Sequence, residues 1–262
     1  MSTISPDVGS SIVGDTLWLA GRHLRLMSRR PASIVGALVL PLIFTLLFYA
    51  VFRIPMERLG IDYAQYLLPA VVIQAMFFSA MSASVWAAED ASGGMVNRLR
   101  SMPVARTAPV LSLLVGELVR SLMSIVVLLL AGYALGFRFE NGVGTAVLFF
   151  VLALTFGAAT SLLYLAIGYA IAKADTAQSV GGLLYYPLLL LSNCFVPTSA
   201  YPDWLEPVVE QQPVTRVADG LRALSTAGTA GATSTVLIAF VWCAALIVVG
   251  GWAGSQAFGR IR

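Results

Sequence analysis

Charge is what this sequence has least of. Only 11% of its 262 residues are charged, against 58% hydrophobic, and the mean hydropathy is +0.85. A soluble domain carries about 25% charged residues, so these side chains cannot cover the protein with a polar surface, and the bilayer is its expected solvent. There is a single lysine, Lys173, in the run IAKADT. A phosphate-cradling loop needs Gly-Lys-Ser/Thr at its end, so these residues hold no nucleotide-hydrolysing loop of that kind. The single histidine, His23, lies among arginines and is expected to be an interfacial residue, neither catalytic nor metal-binding. No Ser/His/Asp set and no carboxylate cluster is visible, so neither a catalytic residue nor a metal site is expected. Cys194 and Cys243 both fall in apolar stretches, which argues against a disulfide framework or a cysteine metal site.

What is present is a series of long apolar runs. A spanning helix needs about 20 mostly apolar residues, and six segments qualify: 32–52, 66–88, a stretch within 108–135, 144–172, 179–196 and 234–257. The expected fold is therefore an all-α membrane protein of six transmembrane helices, forming one domain over residues 1–262. Pro41 lies inside the first segment, and proline is tolerated in bilayer helices where neighbours satisfy the freed carbonyl. That segment is too long for a signal-peptide core and lacks a clear cleavage site, so it is expected to remain as a span.

Arginine placement sets the expected orientation. With the N-terminus inside, ten basic residues fall on the cytoplasmic side: Arg22, Arg25, Arg29, Arg30, Arg98, Arg100, Arg106, Lys173, Arg260 and Arg262. Five fall outside: Arg53, Arg58, Arg138, Arg216 and Arg222. Both termini are therefore expected in the cytoplasm of a multi-pass protein of the plasma membrane.

Residues 11–30 precede the first span. At about 100° per residue, Val13, Leu17, Ala20, Leu24 and Met27 gather on one side, with Arg22, Arg25, Arg29 and Asp15 opposite. This pattern predicts an amphipathic helix in the cytoplasmic interface. Trp18 falls on its polar side, so a solvated helix packed on a partner protein is the alternative.

The cytoplasmic loop 89–107 contains SGGMVNRLRSMPVART. Gly93 and Gly94 allow a sharp exit from the second span, and Pro103 stops any helix that follows. Between them, Met95, Val96, Asn97, Arg98, Leu99, Arg100, Ser101 and Met102 make about two helical turns. Val96, Leu99 and Met102 are then set for apolar contact, with Arg98 and Arg100 on other faces. Such a segment docks a partner, or lies on anionic headgroups at about 1 kcal/mol per arginine.

Ionisable residues inside spans are few. Glu117 and Arg120, spaced i, i+3, can neutralise each other on one helix face. A structural pair and a transport role are both open readings, and a carrier driven by protons or sodium would have little else to work with. The long outer loop 197–233 is punctuated by Pro197, Pro202, Pro207 and Pro213. Short re-entrant or interfacial helices are expected in it, with Tyr201 and Trp204 at headgroup depth. It reads either as a packed cap or as a part of substrate exit.

Taken together, the amphipathic helix, the run AAEDASGGMVNRLRSMPVART after the second span, and FVPTSAYPDWLEPVVEQQPVTRVADGLRAL before the last resemble an ABC type-2 transporter permease of the daunorubicin-resistance type. The likeness covers nearly the whole chain, with Glu89 followed here by Ser92-Gly93-Gly94-Met95 where the family often has a Gly-Thr-Leu-like element. The resemblance implies that residues 95–102 form a coupling helix seated in a separate cytoplasmic ATPase subunit. That subunit, not this chain, would bind ATP and Mg. It also implies a second copy or a sibling permease as partner, no nucleic acid, and outward export of a drug or lipid. Tyr164, Tyr185, Tyr186 and Asn193 are candidate path residues, although such residues also simply pack helices. The alternatives are a membrane scaffold that moves nothing and an ion-driven carrier.

Overall fold

The computed structural model describes residues 12–28, 31–95, 108–228 and 231–260. The described residues form helices and no strand: α1 (Ile12–Ser28), α2 (Pro31–Arg58), α3 (Tyr63–Ser92), α4 (Ala108–Leu135), α5 (Val143–Ile171), α6 (Ala174–Leu190), a 3-10 turn at Thr198–Ala200, α7 (Glu206–Gln211), α8 (Pro213–Ser225) and α9 (Ala232–Arg260). An apolar chain in hydrocarbon has to satisfy its backbone within each segment, and a helix does so. Local signals set the ends. The Asp62 carboxylate accepts from the Ala64 and Gln65 amides at 3.0 and 3.4 Å and starts α3. Ala172, in the left-handed region, ends α5.

Among the described residues, five helices are long and apolar enough to cross a membrane: Val39–Arg58 within α2, Tyr63–Ser92, Ala108–Leu135, Val143–Ile171 and Ala232–Gly259. The remaining expected segment, 179–196, is displaced. Its helix, α6, begins at Ala174, ends at Leu190 and has 17 residues. The chain turns at Leu191 because local polar groups compete for the backbone. Ser192 Oγ donates to the Leu189 carbonyl at 2.6 Å and accepts from the Cys194 amide at 3.2 Å. Tyr201 Oη then bonds the carbonyls of Leu190 and Ser192, both at 2.8 Å.

Helix α3 is the axis of the bundle. It is buried over most of its length and packs against α2, α4, α5, α6 and α8. Its approach to α5 is backbone to backbone: a Cβ added at Gly168 would lie 2.2 Å from the Ser84 carbonyl oxygen. On the far side of α5, a Cβ at Gly250 of α9 would lie 2.9 Å from the Leu163 amide nitrogen. Small residues let apolar helices touch in this way, where dispersion contacts replace a hydrophobic driving force. The outer faces of α2 and α9 expose Ile43, Leu47, Val51, Val241, Val248 and Trp252, as helices facing lipid do.

Candidate functional site

Four features stand out in the bundle. The largest is a groove of about 1120 Å³ running along α5 between α6 and α9. It extends from Ala91, Ala172 and Ala257, at the end of the bundle that carries α1, to Pro213 and Val214 of α8 at the other. Phe77, Phe156, Tyr164, Leu184, Leu188 and Trp252 give it an apolar wall. Two hydroxyls of the lining are already engaged. Thr160 Oγ1 donates to the Phe156 carbonyl at 2.9 Å, and Tyr164 Oη donates to the Gly181 carbonyl at 2.9 Å. The groove thus fits the apolar body of a ligand, with Gln256 as an amide near the α1 end.

The second feature is a polar knot between α3 and α4. Glu117 and Arg120 are each 1% exposed. Arg120 Nε and Nη2 both donate to Glu117 Oε2, the former at 3.1 Å. Ser79 of α3 joins them: its hydroxyl donates to Glu117 Oε2 at 2.9 Å, and its carbonyl accepts from Arg120 Nη2 at 3.3 Å. Ser121 Oγ donates to Ser79 Oγ at 3.3 Å. The i, i+3 pairing expected from sequence is present, and it is also a cross-helix tie that no spacing rule shows.

Above the knot lies α1. Its protein-facing side carries Thr16, Leu19, Ala20, His23 and Met27. The expected apolar stripe was different: Leu17 is 62% exposed, Leu24 is only half-buried, and Val13 has no described side chain. The face is rotated because helix–helix fit, not hydropathy, selects it, and Gly116 of α4 leaves room for His23. Trp18, Arg22 and Arg25 point outward as the arginine side was expected to, while Arg29 lies outside the described residues.

At the opposite end, residues 191–225 form a packed cap. Tyr66 Oη of α3 donates to the Asn193 carbonyl at 2.6 Å, and Arg222 Nη2 donates to the carbonyls of Asn193 and Cys194, each at 2.9 Å. Asn193 Nδ2 donates to Asp219 Oδ1 at 2.5 Å, and the Asn193 amide donates to Thr215 Oγ1 at 3.2 Å. Gln212 Nε2 donates to the Leu191 carbonyl. Trp204 stands exposed beside this cap.

The candidate path residues are not brought together. Tyr164 lines the groove. Tyr185 is buried and accepts from Gln74 Nε2 at 2.8 Å, away from the groove lining. Tyr186 faces outward from α6, and Asn193 belongs to the cap. Of the coupling segment, Met95 packs beside Leu19 of α1 and Ala108 of α4. Val96, Asn97, Arg98, Leu99, Arg100, Ser101 and Met102 lie outside the described residues. Phe77, Phe156 and Trp252 were missed from sequence; aromatics in aliphatic runs were the available signal, and core aromatics give the same one.

Comparison with known proteins adds to this geometry. The sequence profile of the ABC-2 type transporter family matches residues 15–225. A doxorubicin resistance ABC transporter permease protein, DrrB, of Mycobacterium tuberculosis is 30% identical over 248 residues, covering 90% of this chain and 86% of that protein. The daunorubicin resistance ABC transporter permease protein DrrB1 of Streptomyces coeruleorubidus is 27% identical over 222 residues, 85% of this chain and 78% of that protein. More distantly, a putative transport permease, ycf38, of Pyropia yezoensis is 24% identical over 219 residues, 82% of this chain and 75% of that protein.

Proposed function

The chain belongs to the ABC-2 type transporter family, and on that premise we propose that it is the membrane half of an ATP-driven exporter of hydrophobic or amphipathic molecules. The observation that carries this reading is the family match over residues 15–225, on a sequence whose one lysine supplies no phosphate loop. The energy then comes from a separate cytoplasmic ABC ATPase, which holds ATP and Mg. Residues 95–102 are the segment that couples this chain to it. A second copy of this chain, or a sibling permease, completes the path.

In this reading α6 is the fifth of six spans, despite its 17 residues, and α1, α7 and α8 lie in the two interfaces. Both termini are cytoplasmic, and the membrane is the plasma membrane. The groove along α5 is the route for the apolar part of the substrate. Its wall offers mainly shape and dispersion contacts, and the Thr160 and Tyr164 hydroxyls are spent on backbone carbonyls, which suits a bulky apolar cargo better than a sugar chain.

Reconstitution of the chain with its ATPase in vesicles tests the proposal, using doxorubicin and a fluorescent NBD-labelled phospholipid as probes. ATP-dependent movement of either probe is expected. A complex that assembles and hydrolyses ATP but moves neither is a scaffold and overturns the reading. Flux that follows a proton gradient without ATP, and vanishes in Glu117→Gln, would mark an ion-driven carrier instead.

A further inference from the structure

Resting on the reading of the chain as an ATP-driven permease, we propose that His23 is the positioning residue through which α1 moves α4, a side-chain tooth seated in a notch between α3 and α4. The seat is defined by close contacts on both sides. A Cβ built at Gly116 of α4 would lie 2.3 Å from His23 Cδ2 and 3.0 Å from Nε2, so the ring occupies space that only a glycine leaves free. On the α3 side, the His23 and Trp86 rings meet edge to face, with centroids 4.9 Å apart and an interplanar angle of 79°. The imidazole is 4% exposed, and its Nε2 has no hydrogen-bond partner among the described residues. An apolar side chain would fill such a position without stranding a polar atom, so the ring's chemistry is not explained by packing alone.

The notch sits on a contiguous physical path. Met95, the first residue of the coupling segment, packs with Leu19, one turn before His23 on α1. Gly116, under the ring, immediately precedes Glu117 and lies one turn before Arg120. Those two residues hold Ser79 of α3. A push on Met95 by an ATPase subunit therefore reaches α1, and α1 has a rigid projection against the turn of α4 that carries the buried ion pair. A smooth apolar face would let α1 slide along α4; a ring interlocked with a glycine does not.

The charges around the tooth add a signature. Arg22 on α1, Asp90 on α3 and Arg120 on α4, itself paired with Glu117, are its charged neighbours. Burial, followed by the positive charges of Arg120 and Arg22, pushes the imidazole down to about 4. Unseated, the ring titrates near its ordinary value of about 6.5. The seated state thus binds fewer protons than the unseated one between these values. Seating is unaffected by pH above about 6.5, weakens as pH falls through it, and goes on weakening until about 4.

The test measures probe molecules moved per ATP hydrolysed by the reconstituted permease–ATPase complex, using doxorubicin or the NBD-labelled phospholipid, whichever the complex carries. The wild-type ratio is expected to fall severalfold between pH 7.5 and pH 5.5 on the cytoplasmic side. His23→Ala, which removes the tooth, and Gly116→Ala, which fills the notch, are each expected to lower the ratio severalfold at pH 7.5 while the ATPase still co-purifies. His23→Asn, which keeps a planar polar group that does not titrate, is expected to retain more of the ratio than His23→Ala and to lose the acid-side fall. A wild-type ratio that is flat with pH overturns the proposal without any variant. So does an unchanged ratio in both alanine variants, or an acid-side fall that His23→Asn preserves. A wild-type complex that moves neither probe overturns the permease reading itself; transport that survives these changes overturns the tooth alone.

Discussion

The guanidinium carbon of Arg222 lies 3.7 Å from the centroid of the Tyr66 ring, and the same guanidinium binds the carbonyls of Asn193 and Cys194. One side chain thereby holds together the start of α3, the turn after α6 and helix α8. A cation over an aromatic face contributes about 0.5–2 kcal/mol, and hydrogen bonds to a charged donor about 1.5–3 kcal/mol each. Arg222→Ala is expected to lower the stability of the detergent-solubilised protein by about 2–4 kcal/mol, read as a shift in its chemical-denaturation midpoint. Arg222→Lys should recover little of this, because a lysine has no planar fork to stack and bridge two carbonyls. Tyr66→Phe, which keeps the ring and loses only the hydroxyl's bond to Asn193, should cost about 1 kcal/mol.

The ion pair on α4 makes a different prediction. Glu117 and Arg120 are both buried, so removing either leaves the other uncompensated at a cost of about 3–5 kcal/mol. Removing both leaves no stranded charge. Glu117→Gln and Arg120→Met should each destabilise the protein strongly, and the double variant should be more stable than the less stable single one. A double variant whose loss equals the sum of the two singles would show that the groups do not act as a pair. Denaturation midpoints of the four proteins read this out.

For the groove, bulk is the probe. Leu188→Trp places a large ring at the wall, where Phe156 and Trp252 already stand, and transport of the probe molecule should fall several-fold with the ATPase still attached. Leu183→Trp, one helix face away and 72% exposed, should leave transport near the wild-type rate. Equal effects from the two would place the route elsewhere.

The coupling segment is tested by charge. Reversing Arg98 and Arg100 together to glutamate is expected to weaken co-purification of the ATPase by about tenfold or more, as the loss of interfacial charge pairs does. If instead the ATPase stays bound and only sedimentation with anionic vesicles changes, those arginines serve the lipid surface.

The sequence made some of this legible for physical reasons. Long apolar runs force helices because hydrocarbon leaves the backbone no alternative, so the bundle's main elements were readable. Glu117 and Arg120 were readable as a pair because i, i+3 neighbours on a helix meet whatever surrounds them. Ser79 was not, since its place beside them depends on the register of α3 against α4. The α1 face failed for a related reason: lipid and protein interior are equally apolar, so Leu17 could face either, and the choice fell to the Gly116 notch. Tyr185 and Tyr186 show the limit most simply. Adjacent on one helix, they point about 100° apart, and one is buried against Gln74 while the other is exposed. The groove is a property of five helices packed together and has no local signature.

On the proposed six-span reading, with α6 as the fifth span, its early end has a mechanical consequence for the bilayer. Seventeen residues rise about 25 Å, against a hydrocarbon layer about 30 Å thick, while the 29 residues of α5 beside it exceed that thickness. Lipid meeting α6 must dimple to follow the shorter helix, at a fraction of a kcal/mol per ångström. The dimple falls beside Leu184 and Leu188, along one wall of the groove. A molecule leaving by that wall would cross a thinner oily slab there, so the protein would lower the barrier partly by deforming the solvent it sits in.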